Sequence, residues 1–322
     1  MQFIDGGLYI ETEQDTPHLH QEEPSLLGFE LHNSKATHYV PNTPNTLLFF
    51  DGDKETAANA SFALLSDTSI EEQNVLAEHY FNTYMHGTGE IRSEWVIATL
   101  RDPQSESTLP DQLGLFEIHG DHFHQEQTFA PKCPALHGSA QTQDHIVFAC
   151  ADGIVKITQQ SSTFSATHIA NSQALPNEHR IGKLLAGQDH DLMIGIARGS
   201  FYKIDLANNE ISAFNWQPEG VANYLAYGMS AVSKDLLVVD ELGYINIFDS
   251  DNEFQAAGRF KAVESINTDS SMLLINNQAY NMTYLIHDQK VISLDLEQHS
   301  AAPIMTLDAP IESAAWLGVT KK

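Results

Sequence analysis

Three histidines stand at nearly even intervals in this chain: His38 in THYV, His86 in MHG and His137 in LHG, 48 and 51 residues apart. Three neutral imidazoles brought to one point can hold Zn2+, which takes ring nitrogens at about 2.0–2.1 Å in tetrahedral or five-coordinate sites. Histidine is abundant throughout, at 16 residues, as many as lysine and arginine together. Two further groups offer a secondary metal capacity. His18 and His20 lie in TPHLHQEEP beside Glu22 and Glu23, and His122 and His124 lie in HGDHFH. Residues two apart on a strand share a face, so an HxH pair on a strand presents two nitrogens to one side. Each group also has a plainer reading: a structural histidine repeated by the fold, a surface hairpin, or a polar loop.

Signatures of catalysis are missing. There is no GxSxG, no HExxH, no phosphate-binding glycine loop and no GxGxxG after a strand, and no pair of carboxylates stands out. The expectation is therefore a binding protein rather than an enzyme. The alternatives are a lactonase- or dehydrogenase-like enzyme with a metal at the same place, and a protein-interaction scaffold. Charge narrows the partners. Forty-three acidic residues against 16 basic ones give a net charge of −27, which repels nucleic-acid phosphates and anionic lipid. No run of 18 apolar residues is present to span a membrane as a helix.

The elements that must position these histidines repeat as well. An apolar run, a turn and a second alternating run recur with turns at Gly7, Gly52, near Asp102, at Gly153, Gly199, Gly243 and near Gln289, spaced by 44 to 51 residues. A period in the high forties built from about four short strands is the mark of a propeller blade. Seven turns predict an all-β fold: a single β-propeller domain over residues 1–322, with seven blades of four antiparallel strands. The segment PIESAAWLGV (310–319) is expected to join the N-terminal blade and close the ring, which removes free strand edges. Two irregular stretches interrupt the pattern, an acidic, histidine-bearing loop at about 14–24 and a longer loop at about 101–113. No linker divides the repeats, and a monomer is expected.

Strand polarity then places the histidines. The turns between second and third strands share a face with the entrances to the innermost strands. His38, His86 and His137 sit at those entrances in blades 2, 3 and 4, so they converge on one rim of the central channel. His179, in NEHRIG, occupies the blade-5 entrance, where its neighbour Arg180 disfavours a cation. HGDHFH follows a third strand, and its turn belongs to the opposite face.

Cys133 and Cys150 are the two cysteines, 17 positions apart. They could stay thiols in a reducing compartment. A hairpin can also bring a loop before one strand to the end of the next, which favours a disulfide and a periplasmic or external location. No signal peptide is visible in the sequence, so a mature chain with an added Met1 is expected.

CPALHGSA followed by VFACADGIV resembles the Cys-Pro-x-Leu-His-Gly-Glu-Ala and Phe-Gly-Cys-x-Asp-Gly-Val blocks of the AztD-type periplasmic zinc metallochaperones. THYV before LLFFDGD is similar to their Pro-x-His-Phe-Val and Phe-Phe-Asp-Gly-Asp segments, YMHG to their His-His-Gly, and TPHLHQEEPSLL to their histidine-rich loop. The similarity covers residues 1–157; beyond them only the blade period supports it. The resemblance implies a periplasmic β-propeller that binds Zn2+ and passes it to the solute-binding protein of a zinc ABC transporter. It implies a ligand role for His38, His86 and His137, a disulfide between Cys133 and Cys150, and an auxiliary capture or delivery role for the His18/His20 loop. Ser139 stands where that family carries Glu, and Met85 replaces the first His of His-His-Gly.

Overall fold

A computed structural model describes residues 1–322 apart from 14–15, 177–178, 188–190, 268, 278–280, 317–319 and 322. Six antiparallel four-stranded meanders follow one another along the chain. Blade 2 comprises Ala36–Asn42, Asn45–Phe50, Ser61–Ser66 and Ala77–Tyr80. Blade 3 comprises Gly89–Arg92, Trp95–Leu100, Gln112–His119 and His122–Thr128, and blade 4 Ser139–Gln141, His145–Cys150, Gly153–Gln160 and Thr163–Ala170. Blades 5, 6 and 7 begin at Lys183, Tyr224 and Met272. Their inner strands adjoin one another in sequence order around the channel. A single parallel pairing, His122 with Glu78, links the outer strands of blades 2 and 3.

The second strand of each blade is an almost unbroken apolar run because neighbouring blades cover both of its faces; Leu192–Ala197 is buried at every position. Outer strands are covered on one side only, and in His122–Thr128 Phe123 alone is buried. Buried clusters therefore lie between blades. Phe49 and Phe62 of blade 2 meet Val96, Phe116 and Phe123 of blade 3, and Leu136, Phe148 and Ile157 of blade 4 meet Ile97 and Leu115. Full burial of one such side chain favours folding by roughly 1.5–3 kcal/mol, so the ring is held blade to blade.

The N-terminal unit departs from the expected first blade. Gln2–Asp5 pairs with Ser25–Glu30, while Leu8–Glu13 pairs with Thr16–Gln21 in a separate sheet. The turn at Gly7 thus joins two sheets rather than closing a hairpin. Part of the stretch expected as an irregular loop, Thr16–Gln21, is a strand bonded along its length to Leu8–Glu13. The C-terminal segment does join this unit, but later and in parallel, through Thr320 and Lys321 beside Tyr9 and Ile10. Residues 311–316 form no strand and 312–316 are exposed. Pro310 offers no amide to a ladder, and one edge of Leu8–Glu13 is already taken. Phe3 and Phe29 pack the unit onto Leu48, Phe50 and Leu65 of blade 2. Among the described residues no buried apolar cluster ties it to blade 7.

Candidate metal centre

His38, His86 and His137 meet at the channel mouth. The ring centres of His38 and His86 are 5.4 Å apart, and those of His86 and His137 are 5.3 Å apart. The three line one tight cleft with Gly87, Thr88, Leu136 and Gly138. His38 lies in the inner strand of blade 2 opposite Phe49, at a break in register after Ala36. His86 and His137 each precede the inner strand of their own blade. Both following glycines are required by close packing. A Cβ on Gly87 would fall 2.6 Å from the Phe49 ring, and Gly138 has φ +85° with the Gly182 carbonyl 2.9 Å from where a Cβ would be.

The long loop between Leu100 and Gln112 braces two of the three. The His86 amide donates to the Thr108 carbonyl and the Leu136 amide to that of Pro110. Arg101, itself buried, shapes this loop through the Ser105 and Ser107 carbonyls and the Thr83 hydroxyl, with its guanidinium over Tyr84. Cys133 and Cys150 form a disulfide across 17 residues, with Cα atoms 4.8 Å apart. It closes the loop that carries His137, whose amide continues the inner-strand ladder by donating to Ala149.

Electrostatics separate the three imidazoles. Burial, and next the neighbouring His86, holds His38 below the ordinary histidine range. Burial and the Arg180 charge do the same for His137. His86 is raised instead, chiefly by its hydrogen bond to Asp51, whose Oδ2 lies 2.7 Å from Nδ1. Thr37 Oγ1 donates to the other Asp51 oxygen at 2.6 Å. With Nδ1–H held by a carboxylate, the free nitrogen of His86 is Nε2, the arrangement that orients metal-binding imidazoles. His137 Nδ1 similarly lies 3.2 Å from the Gly182 carbonyl, which frees its Nε2. Sequence reasoning passed over Asp51, although it is the first acid of the DGD turn that marks blade 2.

The donor set suits zinc in kind: neutral nitrogens, one oriented by a carboxylate, on a backbone fixed by glycine and disulfide. The ligand atoms of the trio are not all within 4.8 Å of one another; sets that close, among the described residues, are Glu117–His119–Glu126 and Cys150–Asp152–His168. The second reduces to a His168–Asp152 pair because Cys150 is disulfide-bonded. Arg180 donates to the Ala135 carbonyl at 2.8 Å, beside the cleft. Met85, the residue before His86, is 1% exposed in the blade 2–3 core and so does not face the cleft.

The secondary histidines lie elsewhere. His20 stacks on Tyr9, with ring centres 4.9 Å apart, and its Nε2 is 3.6 Å from Glu11. His18 is exposed opposite Glu11 in the same hairpin. His122 and His124 stand on the outer strand of blade 3, exposed as the pattern predicts.

Below the cleft, Glu90 is 4% exposed between blades 3 and 4. Burial raises its carboxyl to about 7, against hydrogen bonds with Ser139 and Gln141 that favour the ionised form. The folded state therefore holds a proton that the unfolded chain releases near 4.5. Stability from this group is complete below about 4.5 and falls as pH rises toward 7. Glu90→Gln is expected to match the parent at pH 4.5 and exceed it at pH 8 by on the order of 3 kcal/mol. Urea unfolding midpoints at the two pH values measure the difference.

Fold and site together define a β-propeller with an imidazole cluster on one rim of its channel. The chain is similar in sequence to the zinc chaperone AztD of Citrobacter koseri, at 25% identity over 193 residues. That match covers 60% of this chain and 43% of the relative, so the chain aligns with less than half of the curated protein's length. The structure of apo AztD from Citrobacter koseri superposes with a TM-score of 0.72 at 18% identity, over 96% of this chain and 81% of that one. The β-propeller domain of Cps50 (Swd1) from Myceliophteria thermophila gives a TM-score of 0.52 at 10% identity, over 88% of this chain and 90% of that one. No protein-family profile matches. The likeness to AztD thus holds in sequence and in architecture. No described helix is long and apolar enough to cross a membrane.

Proposed function

We propose that this protein is a periplasmic zinc metallochaperone. Its cargo ion is bound by His38, His86 and His137 at the channel mouth and handed to the solute-binding protein of a zinc ABC transporter. The observation that carries the reading is the convergence of three histidines from three successive blades on one cleft. Neutral imidazole is the ligand form. Burial keeps His38 and His137 neutral to lower pH than usual, whereas His86, bonded to Asp51, takes up a proton first. Acidification is therefore expected to open the site at His86 before its neighbours. The half-exposed cleft and the Arg180 charge beside it suit an ion that must leave again. The similarity to a protein named a zinc chaperone supports the same reading.

Asp51→Asn tests the positioning of His86. At pH 8, where the imidazoles are neutral, zinc affinity by competition with a chromophoric chelator is expected to fall roughly 10–100-fold. At pH 6 the deficit should narrow, because Asp51 also favours protonation of His86. Unchanged affinity at pH 8 would remove Asp51 from the site.

A further inference from the structure

On the outer hairpin of blade 3, five side chains with metal-binding atoms are gathered on one face. Glu117 is paired directly with His124, and His119 with His122. Alternate residues on paired strands point the same way, and Ile118 and Phe123, paired between them, turn toward the core. A break in register between Leu115 and Phe116 leaves Glu126 as the extra residue on the outer strand. Its carboxylate lies 2.6 Å from His124 Nδ1. Glu117 Oε2 lies 3.2 Å from His119 Nε2, and ligand atoms of Glu117, His119 and Glu126 all fall within 4.8 Å of one another. The rings of His119 and His124 are 5.7 Å apart.

We propose that Glu117, His119, His124 and Glu126 form a second, exposed site for a divalent transition-metal ion, on the face of the propeller opposite the histidine rim. Two imidazoles with two carboxylates make a mixed nitrogen–oxygen set that suits Zn2+, unlike an all-oxygen set, which suits Mg2+ or Ca2+. Among the described residues the ion-pair partner of each of these carboxylates is a histidine, with no lysine or arginine competing. The strand pairing fixes the backbone of all four donors, so only side-chain rotation separates the observed arrangement from a closed one. His119 and His124 have 49% and 65% of their side-chain surface exposed, so an ion here exchanges freely with solvent and binds more weakly than at the mouth. His122, beside Asp121 at 3.2 Å, flanks the set.

The test uses zinc alone, with bound metal counted by equilibrium dialysis and elemental analysis at pH 7.5. His86→Ala/His137→Ala, which removes the rim cluster, should retain one zinc, and adding His119→Ala/His124→Ala should abolish it. His119→Ala/His124→Ala alone should lose one equivalent relative to the parent. Both changes are at exposed positions, and near-ultraviolet circular dichroism confirms the fold. The proposal is overturned if the rim variant binds no zinc, or if its remaining zinc survives loss of His119 and His124. Failure of the rim reading gives a different pattern: the rim variant then keeps the parent stoichiometry, while the blade-3 variant still loses one equivalent.

Discussion

Replacing His86 and His137 together by alanine is expected to abolish tight zinc binding at the channel mouth. Affinity should fall at least a thousandfold, on the order of 4 kcal/mol or more, while unfolding stability changes little. Two of three nitrogens are lost, and one imidazole, His38, cannot alone hold an ion against water. Single variants should be graded. His86→Ala costs more than His137→Ala at pH 8, because His86 lies between the other two rings and is oriented by Asp51. Isothermal titration of the parent and variants measures this directly. Unchanged affinity in the double variant would place the zinc elsewhere.

The second large effect concerns the loop behind His137. Cys133 and Cys150 are fully buried, and their bond closes a loop of 17 residues. A closed loop of that size stabilises by about 3 kcal/mol. Cys133→Ala/Cys150→Ala is therefore expected to lower the thermal midpoint by several degrees. Zinc binding should weaken as well, since the hydrogen bonds that the Ala151 amide donates to the Pro134 carbonyl and the His137 amide donates to the Ala149 carbonyl rely on the same loop. Thermal unfolding with and without reductant, followed by zinc titration, reads both. Equal midpoints and equal affinity would show that the hydrogen bonds alone hold the loop.

The blade order was legible in the sequence because it rests on a local signal: an apolar second strand and an Asp-Gly or similar turn repeated with the blade period. His38, His86 and His137 were found the same way, since equivalent positions in adjacent blades converge whatever the side-chain details. The N-terminal unit was not legible. Its strands pair across sheets, Gln2–Asp5 with Ser25–Glu30, a choice set by packing on blade 2 rather than by turn residues. Ring closure by the C-terminal end was legible in kind but not in position: the pairing with Tyr9 and Ile10 is made by Thr320 and Lys321, just beyond the expected 310–319, of which 317–319 lie outside the described residues. Asp51 was hidden by distance, 35 residues from His86. The raised carboxyl of Glu90 was hidden because burial between blades leaves no trace in a single strand. The blade-3 cluster did leave one: EIHGDHFHQE is nearly symmetric about its turn, so ligands on the third strand face ligands on the fourth.

The central claim is that one ion sits among His38, His86 and His137. Crystals of the zinc-loaded chain measured on both sides of the zinc absorption edge test it most directly. The account predicts an anomalous peak at the channel mouth, about 2.0–2.1 Å from a ring nitrogen of each of the three histidines. Zinc peaks confined to other places, with none in that cleft, would contradict it.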